Sequence, residues 1–227
     1  MAKKAPRRTA ERILEAALDL FNRLGEPNVS TTAIAAHLGI SPGNLYYHYP
    51  AKEEIVNALS QRHAQDLHGR LQAGDRVRDL PAARAFVQEL FECLWACRFL
   101  YRDLGELVSR NRALETLLPQ MMRAMSQALS QLLQDLHAAQ VLSIDAREIG
   151  PVADNMAVVL TAWFNYEFVR DPRNAQEPQQ TQNTVARGTQ QVLHLLASYL
   201  QPGERLRLLD RADAAAAGTD TTPTGQP

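Results

Sequence analysis

Apolar residues recur at spacings of three and four along nearly the whole chain, and no stretch alternates apolar and polar residues as a half-buried strand would. This regularity confines the chain to an all-α fold. The spacing predicts a first helix with Ile13, Ala16, Ala17, Leu20, Phe21 and Leu24 on one face, capped at its start by Thr9 and ended by Gly25. Ser30 or Thr31 caps a short second helix over residues 32–38, which packs Ile34, Ala35 and Leu38 and stops at Gly39. The third is brief, about residues 42–48, because Ser41 caps it, Pro42 suits its first turn and Pro50 follows closely. A long fourth helix starts at about Lys52, carries Ile55, Val56, Leu59, Leu67 and Leu71 on one side, and reaches the Gly74 region.

Gly74, Asp75 and the Leu80-Pro81 pair read as a connection to a larger set of helices. Residues 82–99, 103–108, 114–141, 145–170 and about 179–200 carry helical stripes, with a kink or a late start expected at Pro119. After Arg211 the chain has no core-forming residues, so a disordered tail is expected over residues 212–227.

With 227 residues, 45% of them hydrophobic and 22% charged, the chain can bury a sizeable core without a staple. Its net charge of -1 conceals an uneven distribution: residues 1–62 hold eight cationic and six acidic side chains, leaving 16 and 19 for the remainder. A basic arm over residues 1–9, its charges running on to Arg12, suits a phosphate backbone. No apolar run is long enough to span a bilayer and no signal-peptide core follows the N-terminal lysines, so a cytoplasmic protein is expected. Cys93 and Cys97, four residues apart, read as a buried thiol pair with no chemistry assigned.

Two short helices joined by a tight turn at Gly39 have the geometry of a helix-turn-helix, whose second helix enters the DNA major groove. Residues facing bases must come early in that helix and be small or polar, as Ser41, Pro42, Gly43 and Asn44 are. Asn44 can pair with adenine through its amide, Pro42 can touch a thymine methyl, and Gly43 lets the backbone approach. Tyr46, Tyr47 and His48, with Lys52 beyond them, carry donors that can reach phosphates. Leu45 has the spacing of a core anchor against Ile34 and Leu38, and Tyr49 is expected to pack the small domain.

Residues 10–56, AERILEAALDLFNRLGEPNVSTTAIAAHLGISPGNLYYHYPAKEEIV, resemble the N-terminal DNA-binding domain of the TetR family of bacterial transcriptional regulators. The likeness lies in the helix ending in LF before Gly25, the GIS turn, and GNLYYHY followed by KEE. It implies a three-helix DNA-binding domain over residues 10–56 and a helical effector-binding and dimerisation domain over residues 57–205. It further implies a homodimeric repressor on a palindromic double-stranded operator, released by a small-molecule effector. Matched by position, Ser41, Pro42, Gly43, Asn44, Tyr46, Tyr47 and His48 fall in the recognition helix, Thr32 in the supporting helix, and Lys52 on a phosphate-contacting lysine. Many relatives have a Lys or another polar residue where this chain has Pro42.

The family's last two long helices make a four-helix interface between subunits. The matching helices here carry Ala153, Ala157, Gly188, Val192 and Leu196 as positions of close approach. An effector pocket inside the bundle would be lined by Phe86, Leu90, Trp95, Met121, Met125, Met156 and Trp163, with Tyr101, His137 or Asn155 as polar handles.

The competing classes are an activator or ligand-independent regulator of the same fold, a helical protein-interaction module, and an enzyme using Cys93 or a Tyr and His pair. No nucleophile and base motif, metal-ligand spacing or Gly-rich phosphate loop supports the last, so neither turnover nor a cofactor is expected.

Overall fold

A computed structural model describes residues 6–73, 77–172, 181–205 and 208; the basic residues ahead of it and the expected tail lie outside these limits. Among the described residues ten α-helices and one 3-10 turn follow in order. They are α1 (Pro6–Leu24), the turn Glu26–Asn28, α2 (Thr31–Leu38), α3 (Pro42–His48), α4 (Lys52–Ala73) and α5 (Leu80–Ala96). After these come α6 (Arg98–Arg102), α7 (Leu104–Arg110), α8 (Arg112–Ala138), α9 (Ala146–Arg170) and α10 (Thr181–His194). Among the described residues the one β-type pairing is an isolated bridge between Leu142 and Leu200.

The first three helices close on a small core in which Ile13, Ala17, Phe21, Ile34, Leu45 and Ile55 are fully buried. α1 begins at Pro6, so Thr9 lies within the helix rather than capping it, a proline being tolerated in a first turn. Leu14 is buried in place of the expected Leu24, which is 52% exposed where the helix ends and the chain turns away at Gly25. Ser30 Oγ accepts from Ala33 N at 3.1 Å and so caps α2. Gly39 closes that helix at φ 64°, the left-handed conformation that glycine adopts without a Cβ penalty, and brings α3 around at once.

α4 leaves this unit and packs along α8 and α5, while α8 packs on α9 and α10 packs on α5 and α9. The expected helix over residues 82–99 is two helices. α5 starts earlier, with Asp79 accepting from Ala82 N at 2.8 Å, and ends at Ala96. At the break, the Asn22 side chain of α1 donates to Ala96 O at 2.9 Å and accepts from Phe99 N at 3.1 Å. One amide thereby satisfies backbone groups on both sides of the interruption. Phe21 packs on Phe99 beside it, ring centroids 5.3 Å apart, so α1 is seated directly on α6.

α8 starts at Arg112, where Asn111 Oδ1 accepts from Ala113 N and Leu114 N, and runs through Pro119; the late start expected at that proline does not occur. α10 ends at His194, short of the expected residue 200. Its continuation instead pairs with the α8–α9 connection, through Ser143 N to Tyr199 O at 2.7 Å and Gln201 N to Val141 O at 3.2 Å.

Candidate nucleic-acid interface

Leu45, fully buried, anchors α3 and fixes which of its faces looks outward. Ser41 Oγ accepts from Asn44 N at 3.2 Å, and Pro42 occupies the first turn, where its missing N–H removes no helical hydrogen bond. The outward face presents Ser41, Pro42, Gly43, Asn44, Tyr46 and Tyr47 to solvent. No hydrogen bond among the described residues engages the Asn44 side-chain amide. Tyr47 is 79% exposed and meets His48 edge to face at 5.2 Å. Tyr49 is half-buried against the core.

The Tyr46 hydroxyl lies 2.9 Å from Thr31 Oγ1 at the start of α2, a pair in which either can donate, so when Thr31 donates the Tyr46 proton remains available to a phosphate. Thr32 is exposed one residue on, its Oγ1 2.8 Å from Ser30 Oγ. Pro27, Ser30, Thr31, Tyr46, Ala51 and Lys52 line an open concavity of about 500 Å³ between the starts of α2 and α4. Two helix N-termini, three hydroxyls and an ammonium beside one hollow suit an anion such as a phosphate. Thr31 escaped the sequence reading as a site residue; its place in the first turn beside Thr32 was the available signal.

Lys52 carries a second commitment. Its Nζ stands 2.7 Å from Oε1 of Glu26 and donates to Glu26 O at 3.0 Å. Glu26 is 5% exposed and nothing in the sequence marked it.

The predicted effector residues fare differently. Phe86, Leu90, Met125 and Met156 are buried in the common core. The half-buried Trp95 packs on Phe164, as does Tyr101. Trp163 donates from Nε1 to Thr184 O at 2.9 Å. Tyr101 is 2.7 Å from His63 Nε2 on α4, so its hydroxyl is occupied within the chain. His137 and Asn155 are exposed, and neither can serve as a handle inside the bundle. Both lie on helix faces turned outward, a distinction that residue type alone does not carry. Met121 instead borders an open groove of about 360 Å³ between α4 and α8, with Leu67, His68, Leu71, Leu117 and Gln120.

The positions expected between subunits are also turned inward. Ala153, Ala157, Val192 and Leu196 are buried in their own chain, and a Cβ on Gly188 would stand 2.7 Å from the Phe91 ring. What α9 leaves outside is a stripe of Val158, Ala162, Tyr166 and Val169, three of them more than half exposed. A groove of about 430 Å³ runs there, bordered by Arg187 and Gln191 of α10 and by Leu195 just past its end. Beneath it Glu167, 5% exposed, pairs with Arg187 and Arg170.

Cys93 and Cys97 are free and buried, and burial pushes both thiols up, away from the reactive thiolate. Among the described residues no cluster of three metal-binding side chains occurs, and no helix is long and apolar enough to cross a membrane.

A helix-turn-helix with an exposed polar start to its second helix, carried on a larger helical bundle, defines a DNA-binding regulator. Residues 13–59 match the model of bacterial regulatory proteins of the tetR family, and residues 62–208 match the TetR model described as a bacterial transcriptional repressor. The chain belongs to the TetR family of bacterial transcriptional regulators, which act by binding DNA rather than as enzymes.

It is 32% identical over 84 residues to the nucleoid occlusion factor SlmA of Actinobacillus pleuropneumoniae serotype 5b (strain L20), covering 37% of this chain and 42% of that protein. It is 43% identical over 51 residues to the HTH-type transcriptional regulator UidR of Escherichia coli (strain K12), covering 22% of this chain and 26% of the other. The chain thus spans less than half the length of these curated relatives. A TetR-family transcriptional regulator from Marinobacter aquaeolei VT8 superposes with a TM-score of 0.78 at 28% identity, covering 91% of this chain and 98% of the other.

Proposed function

We propose that this protein is a homodimeric repressor that leaves a palindromic operator when a small-molecule effector binds its helical bundle. The observation that carries the reading is the outward face of α3, where Asn44 stands exposed and unengaged over the buried Leu45. In this reading Ser41, Pro42, Gly43 and Asn44 meet base edges, while Thr31, Thr32, Tyr46, Tyr47, His48 and Lys52 meet the backbone. The basic arm, with Lys3 and Lys4 ahead of α1 and Arg7 and Arg8 in its first turn, adds phosphate contacts, and the protein works in the cytoplasm, where the operator is.

The dimer forms through the exposed stripe Val158, Ala162, Tyr166 and Val169 of α9 with Leu195 beside it, because an apolar strip rimmed by Arg187 and Gln191 is suited to a second copy of itself. The effector enters the α4–α8 groove. No charged side chain borders that groove among the described residues, and His68 and Gln120 supply hydrogen bonds, which suits an uncharged, largely apolar molecule. A ligand there displaces α4, whose first turn carries Lys52 beside the recognition helix. Two recognition helices must match half-sites at fixed helical spacing, so a small displacement weakens both contacts together.

Selection of bound sequences from a random duplex pool at two salt concentrations tests the reading. Enrichment of a palindrome whose affinity falls steeply with salt supports it. A folded dimer that enriches nothing would favour a protein-interaction module instead. Enrichment of a single half-site would remove the dimeric operator.

A further inference from the structure

Glu26 lies in the 3-10 turn between α1 and α2, yet its carboxylate is held from two sides by different parts of the molecule. Oε1 is 2.7 Å from Nζ of Lys52, the first residue of α4. Oε2 is 3.2 Å from Nη2 of Arg110, the last residue of α7. Arg110 also stands 3.4 Å from Glu106 on its own helix. The carboxylate is buried, while the two cations are 30% and 50% exposed. A carboxylate this withdrawn from water is held by its partners, and removing one strengthens its claim on the other.

Both partners have links further out. Lys52 borders the concavity at the starts of α2 and α4, beside Thr31 and Tyr46, where a DNA phosphate would sit. Arg110 is followed by Asn111, which caps α8 and donates from Nδ2 to Asn57 Oδ1 on α4 at 2.8 Å. α8 and α4 are the two walls of the bundle's groove. A covalent and hydrogen-bonded path therefore runs from the start of α8 through Arg110 and Glu26 to the ammonium beside the recognition helix.

We propose that Glu26 is a positioning residue for DNA binding: it shares Lys52 with a DNA phosphate, and Arg110 sets how the share is divided. With Arg110 seated on Oε2, the carboxylate has a second cation beside it and Lys52 is available to the phosphate. With Arg110 drawn away, Glu26 holds Lys52 back and the DNA is bound more weakly. Linkage requires the converse, so DNA that engages Lys52 tightens the hold of Glu26 on Arg110 and on the helix bearing it. The inference rests on Lys52 meeting a phosphate, as read above.

The test is a double-mutant cycle on a duplex selected by the protein, with affinity measured at several salt concentrations. Lys52→Ala is expected to weaken binding by about tenfold for every sequence and to reduce the salt slope by about one. Arg110→Ala, at a residue outside the lining of the concavity between α2 and α4, is expected to weaken binding by roughly fivefold, the low end of ordinary coupling between sites. In the Lys52→Ala background Arg110→Ala is expected to change affinity less than about twofold, because its effect runs through Lys52. Glu26→Gln should likewise cancel the effect of Arg110→Ala, and Arg110→Lys should restore most of it. The Lys52 cycle does not depend on a Glu26 variant folding. An Arg110→Ala loss that persists undiminished beside Lys52→Ala, or no loss in the unaltered background, overturns the proposal. If the unaltered protein selects no duplex at all, the DNA-binding assignment of this surface fails first, and that outcome is separate.

Discussion

The hydroxyl of Tyr101 on α6 lies 2.7 Å from Nε2 of His63 on α4, with the two rings edge to face at 5.6 Å. Burial pushes the Tyr101 pKa well up and lowers that of His63 to about 4, against a smaller raising effect of Asp66. A tyrosine that keeps its proton beside an imidazole that gains none is a stable buried pair. It ties the helix leaving the DNA-binding unit to the segment on which α1 is seated.

The first prediction concerns pH. The folded pKa of His63, about 4, is below its unfolded value of 6.5. Between those values the unfolded chain binds a proton that the folded one does not, so stability falls as pH drops from about 6.5 to 4. The loss attached to this residue is on the order of 3 kcal/mol. Denaturant titrations between pH 7 and 4.5 should show a shallower decline in His63→Gln than in the unaltered protein; equal slopes would remove His63 as the source.

Asn22→Ala removes both hydrogen bonds at the α5–α6 break and leaves the buried N–H of Phe99 and the part-buried C=O of Ala96 to be satisfied otherwise. The expected loss is about 2–6 kcal/mol, from about 1–3 for each group stranded. Urea unfolding measures it, and a loss below half a kcal/mol would mean that water replaces the amide.

Gly188→Ala puts a methyl 2.7 Å from Phe91 and 2.8 Å from Trp163. Both neighbours are large rings set in the core, so α10 must move away. A destabilisation of about 1–3 kcal/mol is expected from overpacking, read as a lower melting temperature. An unchanged melting temperature would show that the rings can yield.

On the DNA side, Asn44→Ala should alter preference at particular base pairs by about 1–3 kcal/mol, whereas Tyr46→Phe should weaken all sequences alike. Repeating the duplex selection with each variant separates the two. An unchanged preference in Asn44→Ala would mean that the exposed amide does not read bases.

Val158→Asp places a carboxylate in the exposed stripe of α9 without disturbing the core, since Val158 is 61% exposed. Sedimentation should show a dimer becoming monomeric, and operator affinity should fall with it. A dimer that survives would place the subunit contact elsewhere.

Around the second and third helices, periodicity, caps and breakers were legible because they are local, whereas Thr9 and Pro119 bound no helix end. Ser41, Pro42 and Pro50 bound α3, Gly39 turns the chain before it, and Leu45 had to face inward wherever α3 lay. The LF, GIS and GNLYYHY motifs carried the family for the same reason, being short runs of adjacent residues. The long-range partners were not legible. That α5 stops at Ala96 depends on Asn22, 74 residues earlier, reaching into the break.

An apolar stripe reports that a face is covered and leaves open by what. Ala153, Gly188 and Val192 have the spacing of an interface, and the tertiary structure buries them within the chain itself, Gly188 against Phe91 of α5 and Trp163 of α9, while leaving Val158 and Tyr166 outside. Glu26 looked like any turn carboxylate, and became a shared partner of Lys52 and Arg110 when packing brought residues 84 positions apart within 3.2 Å. The sequence by itself determined the all-α class, the helix-turn-helix and the family, through forces acting within a few residues. Only the tertiary structure decided which polar groups meet, because that depends on distances the folded chain alone sets.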